Sequence, residues 1–269
     1  MVAGSMLRPA AALALVLASL AAPPAQAGQT RCWVDNGAVV APAAFGDIAG
    51  DFIFDLSAAR SVLHLDVAQM NDIEGPAARG TLRLAGARIP ATLEVASIDA
   101  RTPGFPSTLI GIIGADVLAG YVVDLRFSPC RLALWRRHAP RFRRTANLRL
   151  TMVGGVPATE ASVSDGHAIV SGLFAIDTGA RGVRLSADAA RLGRTPAGVD
   201  AGSRSRPPAR LAALSLADEL FADTPAGIDP DAPAGLLGGV GTAVWSHWDL
   251  RVDLRRRRLQ LAPSSHPRP

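Results

Sequence analysis

The chain has 269 residues, 49% of them hydrophobic and 19% charged, with a formal net charge of +5. That is enough apolar material for one large or two small cores, since domains cluster near about 100–150 residues. Every basic residue is arginine, which excludes a phosphate-binding Gly-x-x-x-x-Gly-Lys loop; the arginines cluster only at 136–144 and 255–258, without the basic–aromatic pattern of a nucleic-acid face.

In chain order, residues 1–27 predict a signal peptide. Arg8 supplies the basic start, Ala10 to Ala22 is an apolar run of 13 residues, Pro23 and Pro24 break it, and Ala25-Gln26-Ala27 is a small-x-small cleavage site. Such a run is too short to span a bilayer, which takes about 20 residues, and no later stretch predicts a span. A mature chain from about Gly28, exported to the periplasm or secreted, is expected. Residues 28–135 then read as a first β lobe. Gly80-Thr-Leu-Arg-Leu84 and Ala91-Thr-Leu-Glu-Val95 alternate apolar with polar, so Leu82, Leu84, Leu93 and Val95 face a core. Residues 136–146 contain Pro140 and no periodicity and read as a basic linker. A second lobe spans 147–263, with a short helix expected at 187–192 before Gly193, and another turn of helix near 115–118 in the first lobe. Residues 264–269 form a tail. The fold class is all-β, mainly antiparallel with short helices.

The two halves repeat one pattern. In the second, the apolar run Leu173-Phe-Ala-Ile176 leads straight into Asp177, Thr178, Gly179 and Ala180; in the first, Phe52-Ile-Phe54 leads into Asp55, Leu56 and Ser57. Each acid is followed at a similar distance by two apolar residues and a glycine, Ile112-Ile113-Gly114 and Leu236-Leu237-Gly238, at 59 and 61 positions after Asp55 and Asp177. Strand pairs then close each half, 121–125 with 131–134 and 248–254 with 258–261.

An acid at the tip of a buried strand, followed by a hydroxyl and a residue without a side chain, resembles the active-site turn of retropepsin-like aspartic peptidases. The resemblance covers nearly all of the mature chain, with an intact motif in the second unit and a degenerate one in the first. It implies two acid-protease-like β-barrel lobes in tandem, with Asp177 and Asp55 as a catalytic pair sharing one proton and a water. Thr178 would tie the two turns together, Gly179 would let backbone and substrate approach, and Ala180 would support the turn, as Leu56 and Ser57 would in the first unit. Ile112, Ile113 and Gly114, with Leu236, Leu237 and Gly238, would brace the turns from behind. Flap candidates are 74–80 and 197–206, the latter equally a plain surface loop. Leu56 and Ser57 depart from the pattern, removing a hydroxyl and adding a Cβ, so Asp55 is either the partner acid or a turn acid in a lobe kept as scaffold.

The two cysteines, Cys32 and Cys130, have no zinc spacing. In an exported chain they are expected to form one disulfide closing the first lobe; two separate buried thiols are the other reading. His64, His138, His167, His247 and His266 show no metal spacing and read as structural or solvated. No cofactor and no metal is expected. The leading functional reading is an aspartic endopeptidase, monomeric or dimeric, with a peptide or protein substrate and no nucleic-acid partner. The alternatives are an inactive peptide- or protein-binding module, or a peptidase whose two second lobes pair in a homodimer.

Overall fold

The computed structural model describes residues 28–102, 104–136, 138–192 and 209–264. The expected signal segment, His266 and the flap candidate at 197–206 lie outside the described residues. In the first half the elements run β1 (Gln29–Arg31), β2 (Trp33–Asp35), β3 (Ala38–Phe45), β4 (Ile48–Phe54), β5 (Val62–His64), α1 (Leu65–Met70), β6 (Ala77–Leu84), β7 (Ala87–Ala96), β8 (Leu109–Ile113), β9 (Val122–Phe127) and β10 (Cys130–Trp135). In the second half they run β11 (Ala146–Arg149), β12 (Thr151–Val153), β13 (Val156–Ser164), β14 (Ile169–Ile176), β15 (Val183–Ser186), α2 (Ala187–Leu192), β16 (Ala209–Leu216), β17 (Glu219–Asp229), β18 (Gly238–Val240), α3 (Thr242–Trp245), β19 (Trp248–Asp253) and β20 (Arg258–Pro263).

Short strands form because alternating sequences bury one face: Leu82, Leu84 and Leu93 are fully buried, and Val95 packs against the same core. The β2–β3, β6–β7 and β12–β13 hairpins turn on Asn36-Gly37, Ala85-Gly86 and Gly154-Gly155, all with positive φ, which matches the right-handed twist of the flanking strands. In the first half, β3-β4-β8-β5-β7-β6 forms a ring closed by β3–β6 pairing, with β2 appended to β3. The second half builds the same ring from β13-β14-β18-β15-β17-β16, with β12 appended. The chain is therefore all-β, two barrels in tandem, and the helical turns at 116–118 and 187–192 fall where the sequence places them.

The strand that opens each half and the two that close it lie outside the barrels. They form a third sheet, β1-β10-β9-β19-β20-β11, in which β9 pairs antiparallel with β19 and so joins the lobes. Leu125 faces Leu250 and Val123 faces Val252 across that seam, all fully buried. A disulfide links Cys32 to Cys130 and ties the start of the first lobe to β10.

The structure departs from the sequence expectation at two places. The stretch 74–80 is no flap: Pro76 is followed directly by β6, and a Cβ on Gly80 would come within 2.9 Å of the Phe45 ring, so that glycine makes room in the core. The brace of the second turn is Gly238-Gly239-Val240 followed by Gly241, not Leu236-Leu237-Gly238. Strand pairing sets Ile113 beside Phe54 and Val240 beside Ile176, and a Cβ on either Gly114 or Gly241 would strike the backbone of the loop that follows its own acid. Leu236 and Leu237 sit just ahead of β18, Leu236 buried against Val156, Ala158 and Ala175.

At the middle of the shared sheet Arg251 and Asp124 are direct cross-strand partners. Nε and Nη2 of Arg251 each donate to one Asp124 oxygen at 2.6 Å, and Nη1 donates to Pro140 O in the linker, while Phe142 stacks under the guanidinium. Removing Arg251 leaves the largely buried Asp124 charge without its guanidinium, held by Trp135 Nε1 at 2.8 Å. Arg251→Met is expected to cost about 3–5 kcal/mol in urea unfolding, with Asp124→Asn/Arg251→Met recovering part of that loss.

Candidate active site at the lobe junction

Asp55 and Asp177 both leave the tip of a central strand, β4 and β14, at equivalent places in the two barrels. The amide of Asp55 donates to Ile113 O and that of Asp177 to Val240 O, each at 2.9 Å. The two turns meet: an added Cβ at Gly179 would fall 2.4 Å from Asp55 Oδ2, so only glycine lets the turns close on each other. Thr178 holds them. Its Oγ1 donates to Phe54 O at 2.7 Å and accepts from the Leu56 amide at 3.0 Å, while its carbonyl accepts from the Val39 amide at 2.8 Å. Leu56 is fully buried and offers no hydroxyl in return, so the tie runs from one side only.

Local bonding orients each carboxylate. Ser57 stands where the second turn has Gly179, and both its amide (2.8 Å) and its Oγ (2.6 Å) donate to Asp55 Oδ1; the Gly179 amide donates to Asp177 Oδ1 at 3.0 Å. Ala180 O receives the Thr242 amide at 2.9 Å, anchoring the far side of the second turn.

Two arginines that the sequence reading passed over complete the site. Arg101 Nη2 donates to Asp55 Oδ2 at 2.8 Å and to Gly179 O at 3.1 Å, so it also bridges the lobes. It rides on a helical turn at Asp99–Arg101, where Asp99 is held by His64 Nε2 at 3.2 Å and by Ser97 Oγ at 2.6 Å. Arg184 Nε donates to Asp177 Oδ2 at 2.8 Å, and its Nη1 lies 3.7 Å from Asp229. The arginines break the repeat. Arg184 pairs with Gly239 as Val62 pairs with Ile112, so the first lobe has an apolar residue where the second has a guanidinium. A lone charge inside Val183-Arg184-Leu185 was the available signal for Arg184; nothing local marked Arg101.

These surroundings separate the two acids. Burial pushes Asp55 up, but the Arg101 guanidinium and the Ser57 bond outweigh it and hold its carboxyl below the ordinary value. Burial also pushes Asp177 up, the Asp55 charge adds to it, and Arg184 and Arg101 offset only part, leaving it raised to about 6. Two such neighbouring buried carboxylates resist ionising together, and their surroundings favour the ionised form of Asp55 over that of Asp177. A cavity of about 360 Å³ opens beside the carboxylates, bordered by Arg101, Arg184 and Asp229 and by small apolar residues such as Ala58, Val156 and Ala175. Among the described residues no group of His, Cys, Asp or Glu is arranged to hold a metal ion.

Thr178→Val keeps the shape but strips Phe54 O and the Leu56 amide of their partner. Each buried group left unpaired costs about 1–3 kcal/mol, so urea unfolding is expected to show a loss in that range or above, with Thr178→Ser close to the unmodified protein.

No family model matches the chain, and no curated protein matches it in sequence. Its fold is similar to that of a solved structure, the aspartic proteinase from Irpex lacteus. The TM-score is 0.56 over 88% of this chain and 97% of that one, at 13% sequence identity. At that identity the likeness speaks for fold. Two barrels in tandem, joined by a shared sheet with an acid-bearing turn from each at the junction, give this chain the bilobal fold of the aspartic proteinases.

Proposed function

We propose that the chain is an aspartic endopeptidase whose catalytic residues are Asp55 and Asp177, acting on an extended peptide in the cleft between the lobes. The observation that carries this reading is the pair of buried carboxylates, one at the tip of an equivalent strand in each barrel, brought together across the lobe junction by Thr178. Asp55, kept ionised by Arg101 and Ser57, takes a proton from a water. Asp177, protonated up to about pH 6, donates its proton to the scissile carbonyl oxygen as that water attacks the carbon. The resulting tetrahedral diol collapses with a proton passing from Asp55 to the departing nitrogen, and Asp177 recovers its own as the carbonyl reforms. The C–N bond breaks, a C–O bond forms, and no covalent enzyme intermediate arises. The signal-like N-terminus supports an exported enzyme, periplasmic or secreted.

The homodimer of second lobes loses its motive, because Thr178 already binds Phe54 and Leu56 of its own chain. A non-hydrolytic peptide-binding cleft is favoured by one specific observation: each carboxylate already has a guanidinium partner. Cleavage of a diverse peptide mixture separates the two readings. The unmodified mature chain is expected to cut, and Asp55→Asn and Asp177→Asn each to lose at least about 1,000-fold in kcat/KM. A chain that binds peptides but cuts none at any pH from 3 to 8 overturns the proposal.

The pH profile has a sign. The active form needs Asp55 ionised and Asp177 protonated, so kcat/KM is expected to fall as pH rises through about 6. Removing the Arg184 charge takes away a group that lowers the Asp177 value. Arg184→Met is therefore expected to move the alkaline limb upward, and Arg101→Met to move the acid limb upward by freeing Asp55 to protonate earlier.

A further inference from the structure

The interlobe cleft contains a second compartment. A cavity of about 650 Å³ adjoins the one at the carboxylates and shares Ala59 as a wall. Like the first, it is built by both lobes: Ala59, Arg60 and Asp116 from one, Gly155, Arg255 and Arg257 from the other. The two compartments have opposite charge. The one at the carboxylates is lined by Asp55, Asp229 and Asp231, with the raised carboxyl of Asp177 among them, against two guanidiniums, Arg101 and Arg184. The second is lined by three guanidiniums, Arg60, Arg255 and Arg257, against one carboxylate. That carboxylate, Asp116, is engaged inward, accepting from the amide of Ser61 (3.1 Å), Ser61 Oγ (2.7 Å) and the Val117 amide (2.9 Å).

The arginines face the cavity with little competition. Among the described residues Arg60 has a loose ion pair with Glu94, 3.9 Å away and largely exposed. Arg255 and Arg257 lie on the exposed β19–β20 turn, and the ion pair on that turn belongs to Arg256, which donates to Asp253. Leu150 donates its amide to Arg257 O at 2.9 Å, so the turn that carries these side chains is fixed to the start of the second barrel.

We infer that this second compartment is an acid-selecting subsite. It takes an aspartate or glutamate side chain of the peptide, at a position beyond the residues that flank the bond being cut. The neighbouring compartment's carboxylates repel such a side chain and the three guanidiniums attract it, so opposite signs along one cleft set the register of the peptide. Guanidinium forks suit carboxylates in geometry as well as charge. The inference rests on the cleft being the peptide site.

Binding is separable from cutting in the Asp177→Asn protein. Two fluorescein-labelled decapeptides, alike except that one carries three glutamates and the other three glutamines, are titrated into it by fluorescence anisotropy, with the run placed at either end. The glutamate peptide is expected to bind about tenfold more tightly in one of the two placements. That preference should shrink between about 50 and 500 mM salt and vanish in Arg255→Gln/Arg257→Gln, while Arg256→Gln retains it. Equal affinity of the two peptides, no binding of either, or a preference that survives the double substitution overturns the inference. In the unmodified chain, cutting without any acid preference overturns this subsite and leaves the peptidase standing. Acid-selective binding by a chain that cuts nothing overturns the peptidase and leaves the subsite.

Discussion

The site depends on one hydroxyl. Thr178 Oγ1 reaches out of its own barrel, donates to Phe54 O and accepts from the Leu56 amide, and so fixes the second turn against the first. Everything else at the junction follows from that registry. Gly179 meets Asp55, Arg101 finds both Asp55 and the Gly179 carbonyl, and two carboxylates end up close enough to influence each other's protonation. With Leu56 opposite, the tie is single rather than reciprocal, and the lost hydrogen bonds must be replaced elsewhere. The shared six-stranded sheet with its central Arg251–Asp124 pair, and Thr242 Oγ1 donating to Gly37 O at 2.6 Å, supply that second hold.

Buried charge is costly unless paired, and the junction holds two carboxylates that are almost wholly sealed from solvent. Two arginines from unrelated positions balance them. Because the arginines are placed unequally, the acids are unequal as well: Asp55 receives a guanidinium and two Ser57 donors, whereas Asp177 receives a guanidinium shared with Asp229 and one amide. In a symmetric pair both carboxyls would be shifted alike; here the surroundings lower Asp55 and raise Asp177. Ser57, which looks like damage to the motif when read in sequence, supplies two of the three donors that keep Asp55 ionised.

Divergence between the lobes therefore reads as division of labour within one architecture. The barrels keep the same strand order, the same helix after the fifth strand of each unit, and the same amide anchor behind each acid. They differ at equivalent positions such as Val62, which packs with the apolar cluster of Ile53 and Ile112, and Arg184, which borders the cavity at the carboxylates. The same logic extends outward along the cleft, whose walls change sign between the compartment at the carboxylates and the one bordered by Arg60, Arg255 and Arg257.

Periodicity and order were readable from the chain alone. Alternating leucines marked the strands, Asp177-Thr178-Gly179 marked a turn at the end of an apolar run, and the repeated succession of acid, strands and glycine marked two related units, because each of these is a local property of a few neighbouring residues. The local match failed at Leu236-Leu237-Gly238: two leucines and a glycine look alike wherever they fall, and only hydrogen bonding to β14 shows that Val240 and Gly241 occupy the place of Ile113 and Gly114. Arg101 lies 46 residues from Asp55 and Thr178 lies 124 from Phe54, so no window of sequence contains either interaction. The strands, the repeat and the place of Asp177 at the tip of a buried strand were legible in the chain, while Asp55 stood there as either a partner acid or a turn acid. Which guanidinium each acid meets, and through that which carboxyl is raised and which is lowered, came only with folding, because Arg101 is brought to Asp55 from 46 residues away and the Asp55 charge to Asp177 from the other lobe.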